Sequence, residues 1–225
     1  MVEEANAADA IIESSLAEPA GELRVSASVL VGQQVIAPAI ASYAQQFPNV
    51  QVILELTNAR VNLIEEGFDL AFRIGENQDA GFIAQAIATF WLKLYASPEY
   101  LSNAGSPNGP ADLMAHRCLV VSNEMRANGW TLTQNDDVCE IKVPSFAVVN
   151  DFLTLKNLAV AGGGIAMLPT YAARTECASG RLVEILPEWN ASNAKLSALY
   201  PSRRGATVKQ RAFIEHVRSI ADSLL

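Results

Sequence analysis

Histidine and cysteine are scarce. The 225 residues hold two histidines and three cysteines. Neither a His-Glu-x-x-His pattern nor a Cys-x-x-Cys pair occurs. His116-Arg117-Cys118 offers two ligand types on one strand, fewer than the three or four a zinc site needs. Cys118, Cys139 and Cys177 are odd in number and widely spaced, which fits reduced thiols in a cytosol better than a disulfide framework. Basic side chains are also few. Lysine and arginine total 16 against 24 acids, a net charge of −8. Bulk electrostatics of that sign excludes nucleic-acid binding by this chain itself. No stretch approaches the roughly 18–20 apolar residues of a membrane span. Met1-Val2-Glu3-Glu4 opens acidic with no apolar region behind it, so no secretory signal is expected. Exact repeats and low-complexity tracts are missing.

Signatures of catalysis are missing as well. There is no Gly-x-Ser-x-Gly elbow, and neither histidine has an evident Ser or Cys partner. The carboxylate pairs Glu65-Glu66 and Asp136-Asp137 are adjacent in sequence, so their side chains diverge. The expectation is a non-enzyme with no metal and no cofactor. What the chain does have is apolar residues: half of it is hydrophobic, which excludes disorder as a whole. Its length allows one large domain or two small ones.

Hydrophobic periodicity switches repeatedly between 2 and 3.6. Leu23, Val25 and Ala27 alternate with polar residues, as in a strand. Val31, Val35, Ala39, Ile40, Tyr43 and Phe47 follow helical spacing, with Pro38 as a kink or near the start. Val50, Val52, Leu54 and Leu56 alternate again. Strand, helix, strand over about 35 residues is a βαβ unit with a parallel pair. Thr57-Asn58 then predicts a short capped helix through Val61, Leu63 and Ile64, ended by Gly67, and Phe68–Gly75 a third strand. A long β-rich run covers 82–96, and Ser97-Pro98 opens a capped helix. A second α/β set comes next. It has strands near 118–121 and 146–149, a hairpin over 130–142, a helix Asp151–Ala161, and a strand Ile165–Leu168. Pro169 opens another helix, Leu182–Leu186 and Leu196–Tyr200 are short strands, and the last helix spans 206–224. Residues 3–17 carry a helical period, either the end of a longer helix or an ordinary surface helix.

In open α/β sheets, ligands bind beyond the carboxyl ends of parallel strands. Those ends here carry Ser26, Ser28, Thr57 and Arg73, and in the second half Asn150 and Asp151. Hydroxyls, an amide and helix-end N–H groups suit a small polar molecule, and Arg73 points to an anion. Each also has a structural reading. Ser28, Thr57 and Asn150 are good N-caps, and Arg73 can pair with a nearby acid. Gly162-Gly163-Gly164 sits in the order helix, glycines, strand. That is the reverse of a dinucleotide loop, so it reads as a helix C-cap or as bare backbone lining a cleft. Arg203, Arg204, Lys209 and Arg211 form one basic cluster, which reads as a solvated loop and helix face rather than as the alternative, a phosphate patch.

Taken in order, several stretches carry a family likeness. They are Gly21–Ser28, Pro38 in a helix ending Phe47-Pro48, Val61–Gly75, Ala96–Leu101, Asp112-Leu113 with His116 and Cys118-Leu119, and Ala161–Pro169. Together they resemble the effector-binding region of LysR-type transcriptional regulators over about residues 3–225. The resemblance implies an α/β fold like that of type 2 periplasmic binding proteins, two-lobed with two crossover strands near 91–96 and 196–200. It implies the end of a linker helix in 1–20, lobe I in 21–93 and 198–225, and lobe II in 94–197. Ser26, Ser28, Thr57 and Arg73 would line an effector cleft from the first lobe, and Asn150, Asp151 and Gly163 from the second. The implied partners are a small-molecule effector, a second copy in a homodimer or higher oligomer, and DNA only through a winged helix-turn-helix that this chain lacks. The implied setting is cytoplasmic, without membrane contact. The alternatives are a solute-binding transport receptor of the same fold and a small α/β enzyme.

Overall fold

The computed structural model describes residues 18–59, 62–75, 81–122, 129–201 and 205–224. The helical period over 3–17 and Val61, Arg203 and Arg204 lie outside them. The chain divides into two compact units: one runs to Ala88 and resumes at Lys195, the other is Thr89–Ala194.

The first unit is built on four strands. β1 is Gly21–Ala27, β2 is Val50–Leu56, β3 is Leu70–Ile74 and β11 is Asn193–Pro201. Their order is β2-β1-β3-β11. β1 runs parallel to both β2 and β3, and β11 is antiparallel to β3. The alternation Leu23, Val25, Ala27 puts all three at zero exposure, facing the helices that connect and follow the strands. Helix α1 connects β1 to β2 in three pieces: an α-turn Val29–Val31, a π-turn Gly32–Ile36, and α-helix Ala37–Gln46. Pro38 has a physical part in that break. It has no N–H, so the turn before it is repaired by the Ala37 N–H bonding five residues back to the Gly32 carbonyl. Helix α5, Val208–Leu224, lays Phe213, Ile214 and Val217, all fully buried, on the same core. Phe213 stacks edge-on to Tyr43 at 5.0 Å and to Phe72 at 6.0 Å.

The short helix expected after Thr57 is not formed by the described residues 62–67, which are turns. Glu65 N–H donates to Asn62 Oδ1, Asn62 N–H donates to Glu66 Oε1, and Phe68 N–H returns to the Leu63 carbonyl. The one backbone bond of helical type, Glu66 N–H to Asn62 O at 2.9 Å, does not by itself repay helix nucleation. Leu63 and Phe68 instead pack with Ala71 and Leu199 on the second face of the sheet.

The second unit holds β4 (Phe82–Ala96, which begins in the first unit), β5 (Cys118–Val121), β8 (Ser145–Val149), β9 (Ile165–Pro169) and β10 (Val183–Ile185). β9 joins β5 in parallel and β4 antiparallel, β8 is parallel to β5, and β10 pairs with β4. Strands β6 (Trp130–Gln134) and β7 (Asp137–Ile141) form a separate hairpin. Asn135 takes the left-handed conformation at its turn, which asparagine tolerates. Helices α2 (Pro98–Ala104), α3 (Phe152–Val160) and α4 (Thr170–Ala178) complete it. Ser97 caps α2 by accepting the Tyr100 N–H at 3.2 Å. The core gathers Tyr95, Leu119, Leu155, Ala166, Leu168 and Ala173. The chain thus changes unit twice, once within β4 and once within β11.

Candidate functional site

At the carboxyl ends of the parallel strands in the first unit, local hydrogen bonds gather four of the expected residues. Thr57 N–H donates to the Ala27 carbonyl at 2.9 Å, joining the ends of β2 and β1, and Ser28 N–H donates to Phe72 O at 3.4 Å, joining β1 to β3. Ser26 is fully buried. Its Oγ accepts from Arg73 Nη2 at 2.8 Å, while Arg73 Nη1 donates to Phe72 O at 3.3 Å. Among the described residues no acidic side chain lies within ion-pair distance of Arg73. Burial lowers its pKa from the ordinary arginine value, and the Glu66 charge acts in the opposite sense. The guanidinium stays protonated, because arginine starts so high. A half-buried cation without a counter-ion among the described residues is the main electrostatic feature here.

The capping roles differ from the sequence expectation. Ser28 stands at the N-cap of α1, yet its hydroxyl makes no cap bond. Asn58 takes that place from 29 residues away, accepting the Val29 N–H at 3.1 Å. Ser28 Oγ is left buried with no hydrogen-bond partner among the described residues. Thr57 Oγ1 accepts from the Ala59 N–H at 3.1 Å and shapes its own turn. Ser197 carries no signal in the sequence. It faces Arg73 directly across the β3–β11 pair, and only knowledge of that pairing finds it.

In the second unit the expected residues are separated. Asp151, rather than Asn150, caps α3: its Oδ2 accepts from Thr154 N at 2.8 Å and Thr154 Oγ1 at 2.9 Å. Asn150 is exposed just past the end of β8. Gly163 lies at the other end of α3. There Gly163 N–H returns to Leu158 O at 2.9 Å and Gly162 N–H to Ala159 O at 3.1 Å, with Gly162 at φ +78°. That bond pair is a Schellman C-cap. A Cβ on Gly163 would lie 2.8 Å from the Leu158 carbonyl oxygen.

Gly162 also borders an open concavity of about 400 Å³ with Glu99, Tyr100, Asn103 and Arg117. The Arg117 guanidinium is held there over Tyr100 and Phe146, 5.2 and 5.1 Å from their ring centroids, and donates to Gly162 O at 3.2 Å. Tyr100 Oη accepts the Arg117 N–H and contacts His116 Nδ1 at 3.1 Å. Cys118 is buried, its Sγ directed at the Leu113 carbonyl, and burial pushes its thiol up to about 12. Among the described residues no cluster of three His, Cys, Asp or Glu could hold a metal, and no helix is long and apolar enough to cross a membrane.

The family model for the LysR substrate binding domain matches residues 16–222. An uncharacterised HTH-type transcriptional regulator of Haemophilus influenzae is 32% identical over 202 residues, 90% of this chain and 70% of that protein. The Escherichia coli HTH-type transcriptional regulator DmlR is 33% identical over 89% of this chain and 65% of its own length. Among solved structures, the regulatory domain of CrgA, a LysR-type regulator of Neisseria meningitidis, superposes with a TM-score of 0.81. It is 25% identical, over 92% of this chain and all of that one. The fold is therefore the two-lobed α/β fold of such regulatory domains, related to periplasmic binding proteins, and the family is one of transcription regulators rather than enzymes or transport receptors. The strand-end polar groups belong to a substrate-binding domain, and the chain is a member of the LysR-type transcriptional regulators.

Proposed function

We propose that this chain is the effector-sensing and dimerising part of a cytoplasmic transcription regulator, and that its effector is a small anion. In a full-length protein a DNA-binding domain would report the effector's presence. The observation that carries the reading is Arg73, a half-buried cation with no acidic partner among the described residues, set among Ser26, Ser28 and Thr57 at the strand ends. A site that holds a positive charge and a buried unpaired hydroxyl is poised for a ligand that satisfies both. Regulation then requires that the ligand favour one of two arrangements of the protein, since equal affinity for both shifts nothing.

The test is a thermal-shift screen of this chain against aliphatic and aromatic acids. A ligand present at about 100 times its Kd stabilises by about 2.7 kcal/mol, which displaces the melting temperature clearly. Arg73→Gln should abolish the shift while leaving the unliganded protein folded. A flat response to every compound, or a shift that survives Arg73→Gln, would sink the anion-sensor reading. Analytical ultracentrifugation tests the dimer: a monomer at micromolar concentration contradicts it.

A further inference from the structure

A guanidinium has five N–H donors. Arg73 commits two to described residues, one to the Phe72 carbonyl and one to Ser26 Oγ, and no described residue takes the other three. Its flank on β1 is occupied by Ser26. Its flank on β11 is Ser197, directly opposite in the antiparallel register. Directly opposed residues share a sheet face, with Cβ atoms about 4.5–5.5 Å apart. Both Arg73 and Ser197 are part-exposed, so a solute can reach them. The Ser197 hydroxyl makes no hydrogen bond to any described residue.

Resting on the anion-sensor reading and sharpening it, we propose that the ligand of this chain presents a carboxylate to Arg73, and that Ser197 donates a hydrogen bond to it as a specificity-determining residue. The planar guanidinium fork matches a carboxylate in two parallel N–H···O bonds. A hydroxyl beside the fork fills one further lone pair. One cation with no other basic group beside it among the described residues balances one negative charge. A phosphate or sulfate dianion would be left half-neutralised in a partly desolvated place. The Glu66 charge also acts on Arg73; its carboxylate already accepts the Asn62 N–H, and it would repel a dianion more than a monoanion.

The experiment uses the 225-residue chain with the monoanions acetate, benzoate, butyrate and 2-hydroxybutyrate as probes. Acetamide, benzamide, phosphate and sulfate are the counterparts, read by thermal shift and then calorimetry. Carboxylates should bind and their amides should not. For the tightest carboxylate, Ser197→Ala should weaken Kd about tenfold, the loss of one charge-assisted hydrogen bond. Ser197→Thr, which keeps the hydroxyl, should restore most of the affinity. Neither variant should move the melting temperature without ligand. Amides or phosphate binding as well as the carboxylates would overturn the proposal while the sensor reading stands. Unchanged carboxylate affinity in Ser197→Ala would remove Ser197 from the site and leave Arg73 in it. Silence from every probe would refute both readings together.

Discussion

The three glycines after α3 offer a graded stability experiment, because each would meet a different obstacle as alanine. At Gly162 the backbone sits at φ +78° but the space is open, with Ser97 Oγ 3.8 Å away. The cost there is that of one left-handed alanine, about 1–2 kcal/mol. At Gly163 the φ is ordinary, but the new Cβ would stand 2.8 Å from the Leu158 carbonyl oxygen. Relieving that contact means loosening the last turn of α3, an overpacking cost of about 1–3 kcal/mol. Gly164 combines both penalties. Its φ is +151° and its Cβ would lie 2.2 Å from the Arg117 carbonyl oxygen, the same oxygen that accepts the Ile165 N–H at 2.9 Å. Backbone on both sides leaves no side chain to swing away. Strain of about 1–3 kcal/mol plus overpacking of similar size gives about 2–6 kcal/mol. Urea unfolding followed by tryptophan fluorescence should therefore rank the losses Gly164→Ala above Gly163→Ala and Gly162→Ala, with Gly164→Ala largely insoluble at the upper end. A loss below about 0.5 kcal/mol for Gly164→Ala, within the range of ordinary surface changes, would refute the close β5–β9 approach on which the ranking depends.

Three further outcomes are expected from the packing. Burial raises the Cys118 thiol from 9.0 to about 12. A raised folded-state value means the stabilisation is whole below pH 9 and is lost as pH climbs from 9 towards 12. At pH 11 the linkage amounts to about 3 kcal/mol, so urea midpoints should fall between pH 8.5 and 11, and less steeply in Cys118→Ala. Tyr43, raised to about 12 by burial, adds to the same alkaline loss. Asp151→Ala removes the α3 cap and should cost about 1 kcal/mol by chemical denaturation, with Asp151→Asn recovering most of it; no loss would mean the cap bond is not formed. Phe213→Ala should cost about 3–5 kcal/mol, because its ring is fully buried between Tyr43 and Phe72. A midpoint unchanged in that variant would contradict the placement of α5.

Elements whose signal is local are legible in the sequence. The alternation Leu23, Val25, Ala27 marks β1, the long apolar run marks β4 to within its ends, and Ser97-Pro98 marks the start of α2, because each pattern is written in neighbouring residues. The turn at 62–67 reads as a helix in the sequence, since Asn and Gly punctuation fits both, and the choice falls to the packing of Leu63 and Phe68 with Ala71 and the sequence-distant Leu199. The site is legible in part for the same reason. Strand-end position picks out Ser26 and Arg73, but their mutual bond spans 47 residues. That Asn58 rather than Ser28 caps α1, and that Ser197 stands opposite Arg73, are facts of register across sequence-distant strands. No periodicity within a segment encodes them.

The two passages of the chain between its units set an order of synthesis. A ribosome makes Thr89–Ala194 as one uninterrupted stretch, so that unit can close its core while translation continues. The other cannot: β11 and α5, with Ser197 and Phe213, are made only after the whole of the intervening unit. Until they emerge, β3 has a bare edge and Tyr43 and Phe72 lack the Phe213 ring that covers them. The nascent chain therefore carries an unfinished half whose completion waits on residues beyond Ala194, and in that interval this half is the one most exposed to chaperones and proteases.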